Sequence, residues 1–265
     1  MLHRTGIRLL TVIGLCISQA ACTAPHGGIR LTVASAGRIS SLDPAQANGG
    51  STIQLLSALG DPLYVLDTKG ELEPRLASAL PEISPDGRTV TIPLRQDVLF
   101  HDGTRFDAEA MAFSLRRFLS IGTLSYVVGD RIASIEVADP YTLRLNLNRR
   151  STSLEGLLTS LNLTPISPTA YGKHEDRFLH DRFVGTGPYR LTSFSEHQQR
   201  LEPFDRYWGT PPKNNGLDLI TLSNSTALYG ALRSGEVDVL LSASIDEDQR
   251  HALHQLAETG ALHEG

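Results

Sequence analysis

The sequence predicts an α/β protein, in which strands and helices alternate along most of the chain. One observation is residues 89–94, where β-branched side chains alternate as in a half-buried strand. A second is the helical spacing of apolar residues between Ala108 and Phe118. A third is residues 231–238, where a helical pattern ends at Gly235 and a strand pattern follows. The composition agrees, because 40% hydrophobic and 20% charged residues in a chain of 265 are ordinary for a globular protein.

The first 28 residues are predicted to lie outside the globule. Basic residues precede an apolar run at 9–17, and small residues follow it. This order is typical of a secretory signal peptide, here residues 1–21, because the apolar run is too short to span a bilayer. Residues 22–28 are small and polar, which suits a tether. We therefore expect an exported protein of the periplasm or cell envelope.

Cys22 follows two alanines and resembles the cysteine of a bacterial lipobox, which is lipidated and becomes the mature N-terminus. Gln19 stands where a leucine is usual, so ordinary cleavage without a lipid is the alternative. The other cysteine, Cys16, lies within the signal peptide, so no internal disulfide is expected in the mature chain. The predicted contact with the membrane is a lipid anchor on Cys22.

The folded part is predicted to run from residue 29 to residue 265, and each element is read from its apolar periodicity. In order, the prediction is a strand at 29–34, a helix at 51–59, a strand at 62–66, a short helix at 73–80, a strand at 89–94, a helix from 108, strands at 131–137 and 142–147, a helix at 153–161, a strand beginning at 163, strands at 189–193 and 217–222, a helix at 227–234 and a helical tail after 246.

Turn and cap residues mark several of these boundaries. Pro85 and Gly87 predict a tight turn, because proline presets φ and glycine permits a positive φ. Asp107 stands just before a helical pattern and can cap its free amides. Asp139 and Pro140 predict a turn between two strands.

Residues 70–119 contain a dense set of signature residues: Pro74, Leu76, Ala77, Ser84, Asp86, Gly87, Leu94, Arg95, Val98, Phe100, His101, Asp102, Gly103, Phe106, Ala108, Phe113, Ser114 and Arg117. This set resembles the signature of the family 5 extracellular solute-binding proteins, the dipeptide-, oligopeptide- and nickel-binding components of ABC importers. The departures are Leu80 for the usual Trp, Ile92-Pro93 where Phe is common, Arg105 for Pro and Ala110-Met111 for Asp-Val.

Other segments resemble the same family outside this signature. They are Ser41-Leu42-Asp43-Pro44 after the first strand, Gly185-Thr186-Gly187-Pro188-Tyr189, Tyr207-Trp208-Gly209 and residues 231–238. A modest departure is Gly60-Asp61-Pro62-Leu63, where the family has Glu-Gly-Leu. The resemblance therefore covers nearly the whole mature chain.

The resemblance implies a fold like the type II periplasmic binding proteins, with two α/β lobes and the solute in the cleft between them. This chain matches the first lobe, with an inserted β-rich subdomain at about 56–162, and the second lobe is missing. We expect a fragment, a truncated product or half of a split protein. A single lobe that cannot bind alone is one alternative, because tight sites enclose most of a ligand's surface.

The resemblance also implies the function: non-covalent capture of a small solute, peptides first, and delivery to a membrane permease whose ATPase subunits hydrolyse ATP. The family also carries nickel chelates, haem, sugars and opines, and the sequence does not choose among them. No cofactor is expected.

Candidate solute contacts follow from topology, because ligands of α/β sheets bind at loops beyond the carboxyl ends of strands. These candidates are Ser41, Leu42 and Asn48 after the first strand, and the turn Gly185, Thr186 and Gly187. The alternative is that all six residues only form turns.

Other classes of function lack their motifs. The net charge of −5 disagrees with nucleic-acid binding, which needs a basic face. No H-E-x-x-H zinc helix, nucleophile elbow or phosphate-binding glycine loop is present. The pair His101-Asp102 is interpreted as a turn, and Tyr207 and Trp208 as core residues. We therefore predict no catalytic residue and no metal site, with a cell-envelope hydrolase as the remaining alternative.

Overall fold

The computed structural model describes residues 28–39, 41–151, 154–172, 182–240, 245–260 and 262–263. Within these ranges the strands are β1 (Leu31–Ser35), β2 (Tyr64–Leu66), β3 (Leu72–Pro74), β4 (Glu82–Ile83), β5 (Thr89–Pro93), β6 (Ile132–Asp139), β7 (Thr142–Leu147), β8 (Tyr189–Phe194), β9 (Gln198–Pro203), β10 (Leu217–Thr221) and β11 (Val239–Leu240). The helices are α1 (Gly50–Leu59), α2 (Ala108–Ile121), α3 (Ser125–Gly129), α4 (Leu154–Leu157), α5 (Pro168–Tyr171), α6 (Ser225–Ser234) and α7 (Glu247–Glu258), with 3-10 turns at Pro44–Gln46 and Leu161–Leu163. The predicted signal peptide, Cys22 and all of the tether except Gly28 lie outside the described residues.

Five of the described strands form a mixed sheet in the order β11-β1-β10-β9-β8. β1 is parallel to both of its neighbours, with Leu31 opposite Leu217 and Val33 opposite Val239. β9 and β8 continue the sheet in antiparallel fashion. Alternation along β10 sends Leu219 to the α1 side and Ile220 to the α6 side, so the two helices cover opposite faces. The predicted α/β class is confirmed.

A second sheet lies between residues 82 and 147 and is antiparallel, in the order β4-β5-β7-β6. Its alternating residues Val90, Ile92, Leu143 and Leu145 pack against the apolar face of α2. The side chain of Asp107 accepts a hydrogen bond from the Ala110 N–H at 2.9 Å, which confirms the predicted cap. β2 and β3 form a separate two-stranded ribbon.

The predicted helix at 73–80 is wrong. The amide groups of Arg75 and Ala77 both donate to the carbonyl of Leu63, and the Leu76 amide donates to that of Pro62. Ala77 also bridges to Leu94 at the end of β5. These backbone N–H groups are therefore bonded to other segments and cannot form the hydrogen bonds of a helix. Tertiary context overrides local propensity here.

The predicted strand beginning at residue 163 is also wrong. The chain leaves the 3-10 turn at Leu163 extended but joins no sheet among the described residues. The Ile166 amide donates to the Ser114 hydroxyl, and Pro165 has no amide hydrogen to offer a ladder. The helix predicted at 153–161 shrinks to the single turn α4, and residue 153 lies outside the described residues.

Candidate functional site

The parallel strands β1 and β10 end at the same edge of the mixed sheet, at Ser35 and Thr221. The chain after β1 leads to the start of α1, and the chain after β10 leads to the start of α6. The Ser51 hydroxyl donates to that of Ser35 at 3.2 Å, which fixes the start of α1 to this edge. Ligands of α/β sheets bind at such carboxyl edges. We call Asn48–Ser51 the rim; its first three residues are exposed and Ser51 is half-buried.

The loop before the rim is fixed by a buried ion pair. Arg117 on α2 donates to both carboxylate oxygens of Asp43, at 2.7 and 2.5 Å, and the two side chains are 4% and 0% exposed. Asp43 also accepts from the Ala45 N–H at 3.0 Å and so starts the 3-10 turn. A bidentate pair of this kind fixes orientation as well as position. α2 therefore determines where the loop lies.

Two amide side chains hold the rest of the loop. Asn162 donates through Nδ2 to the carbonyls of Pro44 and Ala47, at 2.8 and 2.9 Å. Gln46 donates to the carbonyl of Ile121 at 2.9 Å. Hydrogen bonds to Asn162 and to Ile121 thus hold the loop as far as Ala47. Asn48 is the first exposed residue that follows.

The three predicted residues of this loop have different surroundings. Leu42 is fully buried in the core beneath α1. Ser41 is half-buried, and its hydroxyl accepts from the Asp43 N–H at 3.2 Å. Asn48 is exposed beside Gly49, whose φ of 81° is the left-handed conformation that glycine tolerates. Gly49 provides no side chain to cap α1, so that helix starts at the rim without a side-chain cap.

The predicted turn Gly185–Gly187 is buried, and the backbone groups of its two glycines are already bonded. The Gly187 N–H donates to the carbonyl of Leu59 at 3.0 Å, and the Thr186 hydroxyl accepts from the Asp61 N–H at 3.2 Å. A Cβ at Gly187 would lie 2.4 Å from the Leu59 carbonyl carbon, so only glycine fits. The turn packs on the end of α1 and does not join Asn48 at the rim.

His101 closes this turn from the other side. The Gly185 N–H donates to Nδ1 at 3.3 Å, which leaves the proton on Nε2, and Nε2 then donates to the Gly187 carbonyl at 3.0 Å. Burial lowers the pKa of His101 to about 4, so the ring is neutral at pH 7. The neighbour Asp102 accepts from the Thr104 N–H at 3.0 Å, as the predicted turn requires.

Asp61 is the centre of a buried cluster that the sequence analysis did not single out as functional. Its carboxylate accepts from Arg75 Nε at 2.8 Å, the Tyr207 hydroxyl at 3.2 Å and Trp208 Nε1 at 3.1 Å. Burial raises the pKa of this carboxyl, although the charge of Arg75 opposes the shift. Asp61 is one of the positions that depart from the family pattern. This departure was the signal in the sequence that could have pointed to the cluster. Tyr207 and Trp208 are thus occupied inside the fold.

The described residues contain no group of three or more His, Cys, Asp or Glu side chains placed to hold a metal ion. Nor does any helix in these ranges have the length and apolar character needed to cross a bilayer.

Known proteins match most of this chain. The model of a family described as bacterial extracellular solute-binding proteins, family 5 Middle, matches residues 71–258. The glutathione-binding protein GsiB of Salmonella paratyphi A is 30% identical over 232 residues, which are 86% of this chain and 44% of that protein. GsiB of Escherichia coli K12 is 27% identical over 241 residues, 88% of this chain and 45% of that protein.

Solved structures agree with the sequence matches. The periplasmic binding protein DppA from Helicobacter pylori, in complex with the peptide STSA, superposes with a TM-score of 0.76 at 27% identity, covering 86% of this chain and 49% of that one. An ABC transporter substrate-binding protein from Sinorhizobium meliloti gives 0.71 at 30% identity, covering 79% and 42%. The chain thus spans less than half the length of the relatives it matches.

Proposed function

Because the chain belongs to the bacterial extracellular solute-binding proteins of family 5, we propose that it is the substrate-binding component of an ABC importer. Its fold matches part of a type II periplasmic binding protein, as the resemblance implied. In the proposed role the protein captures a small solute without covalent chemistry and delivers it to a membrane permease, whose ATPase subunits hydrolyse ATP. Its relatives are binding proteins, and we assign this chain no catalytic residue.

The observation that carries the proposal is the rim at the carboxyl edge of the mixed sheet. The rim combines an exposed amide side chain, Asn48, with the uncapped start of α1, and such helix starts attract carboxylates. The buried pair of Asp43 and Arg117 holds the loop in place before a solute arrives, which reduces the entropy lost on binding.

Peptides and peptide-like molecules are the proposed solutes. Two of the relatives support this class, since one is named as glutathione-binding and another holds the peptide STSA. Each of these molecules can offer a carboxylate to the rim. Among the predicted contact residues, Asn48 has the exposure that contact with solute requires. Ser41 and Leu42 lie in the loop before it, and the Gly185–Gly187 turn packs at the other end of α1.

The test is calorimetric titration of the purified chain with glutathione and with trialanine, before and after Asn48→Trp. The bulky ring covers the rim, so we expect binding to weaken at least tenfold while the unfolding temperature is unchanged. Asn215→Trp is the matched control, because Asn215 is equally exposed but precedes β10 at the opposite edge of the sheet.

The outcomes separate the alternatives. Equal affinity in Asn48→Trp and the parent would contradict a site at the rim. Absence of any heat with the parent chain would instead favour a lobe that cannot bind alone. Sustained cleavage of trialanine by the purified chain would support a cell-envelope hydrolase.

We further propose that the protein is exported, that residues 1–21 are the signal peptide and that a lipid on Cys22 anchors it. The basic, apolar and small-residue order of the leader supports this. The intact mass of the protein from the envelope fraction checks it: added acyl chains are expected, and Cys22→Ser should remove them. A mass without acyl chains would refute the anchor.

A further inference from the structure

Two opposite charges lie at the carboxyl edge of the mixed sheet, next to the rim. Arg38 follows β1, and Glu196 lies in the turn between β8 and β9. Nη1 of Arg38 is 3.7 Å from a carboxylate oxygen of Glu196. The two side chains are 66% and 62% exposed, so both charges are open to solvent.

The turn between β8 and β9 belongs to the same edge of the sheet as the rim. β9 is antiparallel to β10, so it begins where β10 ends, and Gln198 lies opposite Ile220. The Thr221 N–H, at the end of β10, donates to the His197 carbonyl at 2.9 Å. Glu196 is therefore held beyond the carboxyl end of a parallel strand, where ligands of α/β sheets bind.

Arg38 adjoins the rim through the residue before it. The backbone of Gly37 passes so close to the start of α1 that an added Cβ would lie 2.2 Å from the Ser51 hydroxyl oxygen. Ser51 is the last residue of the rim. The Thr221 hydroxyl also donates to the Gly37 carbonyl, at 3.5 Å. The ion pair and the rim are therefore neighbouring parts of one edge.

The pair supplies the exposed charges of this edge. Within the described residues, the chain borders the edge at 36–39, 41–50, 195–198 and 222–225. The one other Asp, Glu, Lys or Arg in these segments is Asp43, which is buried. An exposed pair adds little to stability, because water solvates both of its groups well. A ligand can therefore separate Arg38 from Glu196 at little cost.

The short distance between the two charges determines the kind of ligand that both can bind. A guanidinium binds a carboxylate through two parallel hydrogen bonds, and a carboxylate binds an ammonium group. The charged ends of an extended tripeptide lie about 10 Å apart, too far to meet both groups of the pair. An α-amino acid head carries its ammonium and its carboxylate on one carbon, and it therefore matches the pair.

We propose that Arg38 and Glu196 bind the head of a solute that carries a free ammonium and a free carboxylate on the same carbon. Arg38 binds the carboxylate of this head, and Glu196 binds the ammonium. The inference rests on the proposed function and narrows its class of solute. Peptides that begin with a γ-linked glutamate have such a head, whereas peptides of α-linked residues do not.

The rim and the ion pair then have separate tasks. A γ-glutamyl tripeptide has a second carboxylate at its far end, and this group remains for the rim when the head is bound by the pair. Glutathione, for which one of the relatives is named, is a peptide of this kind.

The first experiment compares two isomers, γ-glutamyl-alanyl-glycine and α-glutamyl-alanyl-glycine, by calorimetric titration of the purified chain. The isomers have the same composition and net charge, but only the γ isomer has an ammonium and a carboxylate on one carbon. We expect the γ isomer to bind at least tenfold more tightly, because it forms charge-assisted hydrogen bonds with both residues. Equal affinities would overturn the proposal and leave the binding function intact.

The second experiment assigns each charge of the head to its residue. It uses two further probes: the γ isomer with its amino group acetylated, and the γ isomer with its head carboxylate converted to an amide. Glu196→Gln should weaken binding of the γ isomer about tenfold and leave the affinity for the acetylated probe unchanged. Arg38→Gln should weaken binding of the γ isomer by a similar factor and leave the affinity for the amide probe unchanged. Equal losses with every probe would show a purely structural role and overturn the assignment.

The matched controls are Arg190→Gln and Glu202→Gln. This second exposed ion pair joins the same two strands, with its charged atoms 3.3 Å apart, but it lies at their opposite end, where β8 begins and β9 ends. Both controls should bind the γ isomer with the affinity of the parent chain. A loss as large as that of Arg38→Gln would contradict a local site. If the parent bound neither isomer, the binding function itself would be contradicted, and the head site with it.

Discussion

Arg117 shows how one residue of α2 determines the position of the loop that precedes the rim. Its guanidinium and the Asp43 carboxylate are both removed from water, so each depends on the other to offset the loss of hydration. A buried pair of this kind adds little net stability over an apolar pair, but it costs much if only one partner is removed. Its contribution is therefore chiefly a defined position for the loop.

Arg117→Ala is expected to lower the free energy of unfolding by about 3–5 kcal/mol, because it leaves the Asp43 carboxylate buried without its partner. Urea denaturation gives this value. Arg116→Ala is the control: the neighbouring side chain is exposed and donates to the Ile135 carbonyl, so a change within about 0.5 kcal/mol is expected. Equal effects of the two substitutions would refute the role of the pair.

The residues of the site lie too far apart in sequence for local patterns to pair them. Asp43 and Arg117 are 74 positions apart, and Asp61 and Tyr207 are 146 apart. The sequence predicted a candidate loop after β1, but periodicity does not tell the buried Leu42 from the exposed Asn48. That difference arises from packing under α1, which only the folded chain defines.

Among the elements, those with complete local signals were predicted well. α2 has a helical apolar face and the Asp107 cap, and α6 ends at Gly235 with a φ of 75°. β9 was missed, because Gln198–Pro203 is mostly polar and Leu201 is its one fully buried apolar residue. It becomes a strand because β8 and β10 flank it, which is a tertiary cause.

The cap of α2 can be tested as a separate element. Asp107→Ala is expected to destabilise the protein by about 1 kcal/mol, because the Ala110 N–H loses its side-chain acceptor. Asp246→Ala is the matched control at the start of α7, where the aspartate makes no side-chain cap bond. We expect the control to change the unfolding free energy by a few tenths of that amount, measured by urea denaturation. A larger loss at Asp246 than at Asp107 would contradict this account.

On the scale of the whole molecule, the Gly185–Gly187 turn connects the two sheets. Val184, just before it, packs against the core of α2 and also against the core of α1. The turn bonds the end of α1 through Leu59 and the subdomain through His101. We therefore expect the two sheets to unfold together. The contact between them depends on the His101 ring being neutral.

The stability of the protein should consequently fall in mild acid. The pKa of His101 drops from its ordinary value of 6.5 to about 4 in the folded state, so the unfolded chain takes up the proton first. The contribution of His101 to the free energy of unfolding is constant above pH 7 and decreases as the pH falls from about 6.5 to about 4. The total loss amounts to at most about 3 kcal/mol.

Urea denaturation between pH 7.5 and pH 4.5 measures this loss. His101→Gln removes the titrating group, so its unfolding free energy should vary less over this range than that of the parent chain. His251→Gln, which replaces an exposed histidine on α7, should retain the parent's dependence. If both variants behaved like the parent, His101 would not be the group responsible.

The central place of β1 has a consequence for how the chain folds. Both neighbours of this strand, β10 and β11, come from residues 217–240. At a synthesis rate of about 5–20 residues per second, roughly ten to forty seconds separate the appearance of β1 from that of its partner β10. The antiparallel sheet of residues 82–147 needs only local partners and can form much earlier. Among the described strands, β1 is thus the first to be made and one of the last to be paired, and the mixed sheet beside the rim forms only after β10 has emerged.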